Sequence, residues 1–159
     1  MQGDPKVIEL LNEALRNELT AVNQYWLHYR LLDNLGVNRL AEFERHESID
    51  EMKHADELAE RILFLDGLPN FQALGRLRIG ETVEEILRAD LDLELEAVEQ
   101  LKGAIAHCET VRDFGSRELF ARILTNEEEH VDNLEQQFEL IAAMGVANYV
   151  QLQSKPAEE

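Results

Sequence analysis

Two short stretches decide the fold of this chain: Glu51-Met52-Lys53-His54 and Glu127-Glu128-Glu129-His130. In each stretch a glutamate precedes a histidine by three residues. Side chains three apart share one face of an α-helix, so each stretch directs a carboxylate and an imidazole to one point. Both stretches lie in long segments whose apolar residues recur at helical spacing, which predicts two helices that carry the same chemistry.

The chain repeats itself at the interval that separates Glu51 from Glu127. Glu18 and Glu94 are separated by the same interval, and each lies in a further segment of helical periodicity. Coincidence between leucine-rich helices would explain matching leucines, but the matched glutamates favour two similar helical hairpins related by a pseudo-twofold axis. The other matches are Leu11/Leu87, Leu15/Leu91, Leu19/Leu95, Ala21/Ala97, Val22/Val98, Gln24/Gln100, His54/His130, Asp56/Asp132 and Leu58/Leu134.

Capping residues and helix breakers divide the chain into four long helices and a short fifth helix. Asp4-Pro5 predicts the start of the first helix and Gly36 its end, Asn38 is expected to cap the second helix, and residues 82–85 form a capping box for the third. We therefore predict helices over about 5–35, 38–66, 82–109 and 114–144. A short helix over 147–153 and a frayed tail over 154–159 complete the chain.

The lengths of the connections predict the topology. The turns after the first and third helices are short, so each joins antiparallel neighbours. Residues 67–81 form an irregular connection that reaches about 50 Å when extended, whereas a helix of about 27 residues is about 40 Å long. The predicted fold is therefore all-α: a single domain over 1–159, built as a four-helix bundle with one long crossover connection.

Composition excludes several classes of protein. The chain has 33 acidic and 15 basic residues and a net charge of −18, which excludes a nucleic-acid partner and favours attraction of cations. A single cysteine, Cys108, cannot form an internal disulfide or a thiolate cluster. No apolar run approaches the ~20 residues of a membrane span, and the first residues do not form a signal peptide. We expect a cytoplasmic protein without a membrane partner.

Four glutamates and two histidines predict a dinuclear metal site: Glu18, Glu51, His54, Glu94, Glu127 and His130. Any one of them alone would more often be a solvated or structural residue, but all six occupy matching positions on four predicted helices. Their carboxylates fall in apolar stripes, where they could not all ionise without cations between them. Imidazole and carboxylate ligands suit iron or manganese. The pseudo-twofold predicts that Glu51 and Glu127 bridge two ions, with Glu18 and His54 on one ion and the remaining pair on the other.

The six residues, together with the stretch His46-Glu47-Ser48-Ile49-Asp50-Glu51-Met52-Lys53-His54-Ala55-Asp56, resemble the bacterioferritin family over roughly residues 1–153. The resemblance implies a ferritin-like, iron-storing and detoxifying shell of 24 subunits built from twofold dimers, in some cases with a second subunit type. It implies a ferroxidase that oxidises Fe(II) with dioxygen or hydrogen peroxide at a diiron centre. It also implies iron release by reduction through a bacterioferritin-associated ferredoxin.

Met52 is a candidate ligand of a second cofactor. It lies about 100° round the helix from Glu51, on a separate apolar strip with Ile49 and Ala55, and the spacing alone indicates a subunit contact. The resemblance implies a haem b on the twofold axis, held by Met52 of each subunit. The residues that would line its pocket are Leu19, Asn23, Trp26 and Ile49.

Several residues carry weaker signals. The spacing of His46 and Asp50 favours an exposed pair, whereas the resemblance implies an iron site on the inner surface. Tyr25 is either a core tyrosine or, by resemblance, an electron donor near the diiron centre. Solvated charges are predicted for Glu44, Glu47 and Asp132, and structural roles for His28, His107 and Cys108.

Two alternative functions stay open. One is another diiron-carboxylate oxidase or peroxidase on the same bundle. Rubrerythrin-like peroxidases add a cysteine-rich domain and ribonucleotide-reductase small subunits are much longer, so the length and the single cysteine argue against both. The other is a haem-binding cage subunit without ferroxidase activity, which the presence of all six predicted ligands disfavours.

Overall fold

The computed structural model describes residues 1–154 and consists of five helices: α1 (Pro5–Asn34), α2 (Asn38–Phe64), α3 (Val83–Val111), α4 (Phe114–Met144) and α5 (Val146–Gln153). α1 packs along α2 and α3 packs along α4, and the two hairpins meet mainly through α1 and α3. This confirms the predicted all-α bundle with a long crossover and a short last helix. Within these residues, none of the helices has an apolar stretch of the length that crossing a membrane requires. All but the first residue of the predicted tail lies outside the described range.

Local capping explains where most of the helices begin and end. The Asp4 carboxylate accepts hydrogen bonds from the backbone N–H groups of Lys6 and Val7, both at 3.0 Å, and the predicted capping box at the start of α3 is present. After α1, Gly36 adopts a φ of +81°, a left-handed conformation that glycine reaches without the penalty of a Cβ. The chain can therefore reverse after a short turn and enter α2.

Some predictions at the helix ends were wrong. Asn38 does not cap α2; it is the first helical residue, and its Nδ2 donates to Asp33 Oδ1 at 3.0 Å. α2 ends at residue 64 rather than 66, and α3 continues to residue 111 rather than 109. The left-handed residue after α2 is Asp66, with a φ of +61°. Gly67 is instead required by close packing, since a Cβ there would lie 2.8 Å from Ile8 Cγ2.

The crossover connection, residues 65–82, is attached to α1 through its main chain. Thr20, Gln24 and His28 are four residues apart and so share one face of α1. Their side chains accept the backbone N–H groups of residues 75, 78 and 80 at 2.8, 3.0 and 3.0 Å respectively. These three hydrogen bonds set the register between the connection and the helix.

Two apolar clusters fill the bundle on either side of a polar middle layer. The first cluster contains Leu11, Leu15, Leu58 and Phe120, among others. The second contains Leu32, Leu40, Leu87 and Leu134, and α5 adds Tyr149 to it. Along every long helix, the buried glutamates lie between these two clusters or at their edge. The apolar clusters therefore hold the four helices together and fix the position of the polar layer.

A half-buried ionic network ties the start of α4 to α2. Asp113 Oδ1 accepts hydrogen bonds from the backbone N–H of Ser116 at 3.0 Å and from Arg61 Nη2 at 2.9 Å, and Arg61 Nε donates to Ser116 Oγ at 3.0 Å. Burial alone would raise the pKa of Asp113, but the hydrogen bonds from Ser116 and the charge of Arg61 outweigh it, so the pKa is lowered.

We predict that Asp113→Ala lowers the free energy of unfolding by about 1–3 kcal/mol, because it removes both the helix cap and the partner of Arg61. Asp113→Asn keeps an acceptor for the Ser116 N–H and should cost less. Because the folded pKa is depressed, the contribution of Asp113 is fully present above the unfolded value of about 3.9 and is lost as the pH falls through the folded value. Thermal unfolding of the assembled protein, measured at neutral pH and in steps below pH 4, tests this. An undiminished effect of Asp113→Ala at the lowest pH would contradict it.

Candidate metal centre

Six ionisable side chains meet in the polar middle layer of the bundle. All four glutamates are at most 3% exposed and His54 is 5% exposed, whereas the side chain of His130 is 13% exposed. The structure therefore brings together every residue that the sequence singled out for a dinuclear site. They are Glu18 on α1, Glu51 and His54 on α2, Glu94 on α3, and Glu127 and His130 on α4.

One half of the centre surrounds the Nδ1 atom of His54. Glu127 Oε1 lies 3.1 Å from this nitrogen, and Glu18 Oε2 and Glu51 Oε2 lie 3.6 Å from it. The four groups present ligand atoms that all lie within 4.8 Å of one another. A metal ion fits among ligand atoms at this spacing.

The other half surrounds the Nδ1 atom of His130. Glu51 Oε1 lies 3.0 Å from this nitrogen, Glu127 Oε2 lies 3.3 Å away and Glu94 Oε1 lies 3.5 Å away. These four groups also place ligand atoms within 4.8 Å of one another. Glu51 and Glu127 thus belong to both halves, and each directs one oxygen to each histidine, which is the geometry of a bridging carboxylate.

The polar atoms that face the centre lack hydrogen-bond partners. Both Glu127 oxygens, Glu51 Oε1 and the Nδ1 atoms of His54 and His130 are buried and form no hydrogen bond of good geometry. Unpartnered buried polar atoms are costly. Two divalent cations would satisfy all of them and would balance four carboxylates, so the residues fit the metal pair that the sequence predicted.

The mutual contacts of these groups shift their pKa values. Burial raises the pKa of Glu18 and of Glu94, and repulsion from Glu127 adds to the effect. Burial would lower the pKa of His54, but the surrounding carboxylates outweigh it and raise the pKa to about 12. The pKa of His130 is raised by the same balance of causes. Without a metal, protons thus take the place of cations in neutralising the cluster.

The outer nitrogen of each histidine contacts a residue that the sequence analysis did not assign to the site. His130 Nε2 lies 2.8 Å from Glu47 Oε2, and His54 Nε2 lies 3.0 Å from Asn126 Nδ2. The prediction of a solvated charge was wrong for Glu47, which is 8% exposed. A signal was present, since Glu47 precedes Glu51 by one helical turn and shares its face.

Tyr25 is fully buried, and its hydroxyl donates a hydrogen bond to Glu94 Oε1. Burial and the negative charge of Glu94 raise the pKa of Tyr25 well above its ordinary value, so the phenol keeps its proton. Tyr25 is therefore a core tyrosine with a satisfied hydroxyl that also touches the centre, and its role as an electron donor stays a prediction.

A second polar cluster lies beside Tyr25. Asp90 Oδ1 accepts from Gln24 Nε2 at 2.9 Å and lies 2.8 Å from His28 Nδ1, and all three residues are fully buried. Glu44 is also fully buried, and neither of its oxygens has a hydrogen-bond partner. The prediction of a solvated charge was therefore wrong for Glu44, which lies two helical turns before Glu51 on the same inward stripe. Burial, with repulsion from Asp90, raises the pKa of Glu44.

The remaining predicted structural residues lie away from the centre. Cys108 is buried, and burial raises its pKa to about 11. His107 Nε2 lies 3.3 Å from Asp4 Oδ1 at the start of α1. Asp132 is exposed, as predicted.

The two residues of the predicted inner-surface pair, His46 and Asp50, differ in their surroundings. Asp50 presents an oxygen within 4.8 Å of ligand atoms of Glu47 and His130, whereas His46 is exposed and belongs to none of the groups that could hold a metal there. A cleft of about 260 Å³ reaches both histidines of the centre, and its lining consists of Asp50, Lys53, His54, Glu57, Asn126, Glu129 and His130.

Four of the five residues expected around haem are exposed or half-buried on the first hairpin, and the fifth, Leu19, belongs to the first apolar cluster. Met52 and Trp26 are each 44% exposed, Asn23 is exposed and Ile49 is half-buried, whereas Leu19 is buried. Ser48 Oγ donates to the backbone oxygen of Val22 at 2.8 Å, which fixes the register of the two helices here. An exposed methionine and tryptophan on one hairpin are typical of a surface that meets another subunit.

Comparison with known proteins identifies the family. Residues 8–144 match the family model of the ferritin-like domain. The chain is 52% identical over 159 residues to a bacterioferritin of Brucella melitensis, a match that covers 100% of this chain and 99% of the relative. It is 51% identical over 157 residues to a bacterioferritin of Mycolicibacterium paratuberculosis (98% and 99% covered) and 49% identical over 150 residues to one of Streptomyces coelicolor (94% and 90% covered).

With this identity over nearly its whole length, and with all six residues of the centre brought together between four helices, the chain belongs to the bacterioferritins of the ferritin-like domain family.

Proposed function

We propose that this bacterioferritin stores and detoxifies iron and that its buried centre is a ferroxidase, which oxidises Fe(II) to Fe(III). The observation that carries the proposal is the pair of overlapping clusters in which Glu51 and Glu127 each direct one oxygen to each histidine. Such carboxylates suit two ions about 3.5–4 Å apart. Imidazole and carboxylate donors without thiolates suit iron.

Each half of the centre would bind one Fe(II) through its own glutamate and histidine and through the two shared carboxylates. Glu18 and His54 serve one position, and Glu94 and His130 serve the other. Two Fe(II) ions supply two electrons, which reduce one dioxygen to hydrogen peroxide or one hydrogen peroxide to two water molecules, with uptake of two protons. The apolar clusters on either side exclude bulk water and hold the ligands in place.

The cleft beside the centre gives the Fe(II) substrate a route inward. Its lining combines the two histidines with the carboxylates of Asp50, Glu57 and Glu129. A protein with a net charge of −18 attracts cations, and acidic groups at the mouth of a cleft raise their local concentration.

We further infer that the chain assembles into a hollow shell of 24 subunits built from twofold dimers, which keeps the oxidised iron as a mineral inside. Haem b would be held between two subunits by Met52 of each, in a pocket with Leu19, Asn23, Trp26 and Ile49. The exposure of Met52 and Trp26 and the membership of the family support this assignment. The haem would carry electrons from a bacterioferritin-associated ferredoxin to the mineral for iron release.

We predict that the double variant Glu127→Gln/His130→Ala lowers the initial rate of Fe(II) oxidation by at least about 100-fold, because both halves of the centre lose a ligand. Substitution of a residue that only hydrogen-bonds to a metal ligand already lowers metal affinity or activity by about 10–100-fold. Stopped-flow absorbance of Fe(III) formation measures the rate, and size-exclusion chromatography checks that the shell still assembles. Glu128→Gln, an exposed neighbour on the same helix, is the matched control. Unchanged kinetics in an assembled double variant would refute the assignment of the centre.

We predict that Met52→Leu abolishes the Soret band of protein produced with ample haem, because leucine offers no axial ligand, while Fe(II) oxidation stays unchanged. The half-buried Met144 packs against the second apolar cluster, so Met144→Leu is the control and should retain the band. If the Met52→Leu protein bound haem with the same spectrum, the assignment of Met52 would be wrong.

We predict that Tyr25 supplies an electron when the centre is oxidised with less than two Fe(II) per subunit. The proton of its hydroxyl is already directed to Glu94, so the phenol can lose a proton and an electron together. A tyrosyl radical signal in electron paramagnetic resonance should be present in the wild type and absent in Tyr25→Phe. Tyr149 is equally buried and donates to Gln137, so Tyr149→Phe should keep the signal; its loss in this control instead would contradict the role of Tyr25.

A further inference from the structure

The two halves of the proposed centre match in the groups that face the metal and differ behind the histidines. The internal repeat, which relates Glu51 to Glu127, also relates Asp50 to Asn126 and Glu47 to Ile123. Behind His130, α2 therefore presents Glu47, whose Oε2 is 2.8 Å from Nε2, together with Asp50 in the same cluster. Behind His54, α4 presents the neutral amide of Asn126, 3.0 Å from Nε2.

The difference decides which hydrogen bonds each histidine can make once a metal is bound. A metal on Nδ1 leaves the proton of the ring on Nε2, which then has to donate a hydrogen bond. A carboxylate only accepts, and Glu47 Oε2 lies 2.8 Å from His130 Nε2. The two groups are not aligned for a hydrogen bond in this structure, so a small rotation of either side chain lets Glu47 receive the proton of His130. Behind His54 the partner is the amide of Asn126, 3.0 Å from Nε2, which can accept the proton only through its neutral Oδ1.

Charge acts in the same direction. A carboxylate that accepts from an imidazole makes the ring a stronger metal ligand, and it adds a negative charge near the cation. Asp50 contributes less negative charge to this position than Glu47 does, because Lys53 Nζ lies 3.4 Å from Asp50 Oδ1 and partly compensates its charge. Glu47 is therefore the residue that most distinguishes the two halves.

Given the proposed diiron centre, we propose that its two metal positions are inequivalent and fill in order: the position of Glu94 and His130 binds first and more tightly, and the position of Glu18 and His54 binds second. Glu47 and Asn126 act as positioning residues that set this order.

Co(II) replaces Fe(II) in the test because it is not oxidised when it binds. Its binding therefore reports the order in which the two metal positions fill, without any reaction. Crystals of the assembled protein are soaked with one Co(II) per subunit, and anomalous scattering at the cobalt edge gives the occupancy of each position. Calorimetric titration gives the affinity of each step. In the wild type the position of Glu94 and His130 should carry most of the cobalt, and the titration should show two steps.

Substitutions behind the histidines should change one position at a time. Glu47→Gln keeps an acceptor but removes the charge, and should weaken binding at the His130 position by about 10–100-fold with little change at the other. Asn126→Asp adds a carboxylate behind His54 and should bring the two occupancies close to equal. Glu128→Gln removes one charge from the exposed face of α4 and should change neither position.

Three results would overturn the ordered filling: equal occupancy in the wild type, preferential filling of the His54 position, or equal weakening of both positions by Glu47→Gln. If Glu47→Gln does not assemble, the wild-type occupancies and Asn126→Asp still decide. These failures would leave the ferroxidase proposal intact. The absence of cobalt from both positions, together with unchanged kinetics in Glu127→Gln/His130→Ala, would instead overturn the centre itself.

Discussion

The structure depends on one electrostatic constraint: four carboxylates and two imidazoles share a small volume inside an apolar bundle. Carboxylates this close repel one another, and burial penalises each charge further. Protons on the histidines and on the outer glutamates relieve the cluster only in part, because several inward-facing atoms still lack hydrogen-bond partners. Such an interior is stable as part of a folded domain because apolar layers on both sides hold the helices. The buried polar atoms that lack hydrogen-bond partners make it a binding site for cations.

The internal repeat conserves residue type among the six residues of the centre but not among all of the residues next to them. Of the four buried polar residues beside Tyr25, three have apolar counterparts in the other half of the repeat, and those counterparts belong to the first apolar cluster; the fourth, Gln24, is matched by Gln100. The pairs are Tyr25/Leu101, His28/Ala104, Glu44/Phe120 and Asp90/Ala14. One side of the centre is therefore closed by hydrocarbon, whereas the other side continues into hydrogen-bonding groups. The surroundings of the centre are therefore unequal, and a hydrogen-bonded route for protons can exist only on the side where polar groups continue.

The sequence was sufficient for the features that depend on local spacing. The interval of three residues in each Glu-x-x-His stretch and the common separation of the matched glutamates predicted the helices, the topology and the six inward-facing side chains. The pairings that the sequence did not reveal join residues far apart in the chain, such as His28 with Asp90 and with the backbone of Gly80. Glu44 and Glu47 were assigned to solvent because charged side chains are usually exposed, although their spacing from Glu51 placed them on the inward face. Asn38 failed as a cap because α2 already begins at this residue, with Val37 at the cap position, and its amide donates to Asp33 across the turn.

The attachment of the crossover to α1 has a consequence for how this connection can vary. Thr20, Gln24 and His28 accept amide protons and make no use of the side chains that the connection carries. The outward-facing side chains of the crossover connection can therefore vary, or be redesigned to recognise another molecule, without disturbing the interior. Two kinds of substitution are exceptions. Proline is excluded at residues 70, 75, 78 and 80, whose amide groups donate to α1, because its nitrogen has no hydrogen to offer; any side chain is excluded at Gly80, where a Cβ would lie 2.3 Å from the backbone nitrogen of Ile86. The bundle thus carries an outer segment whose surface can change while four backbone amides hold it in place.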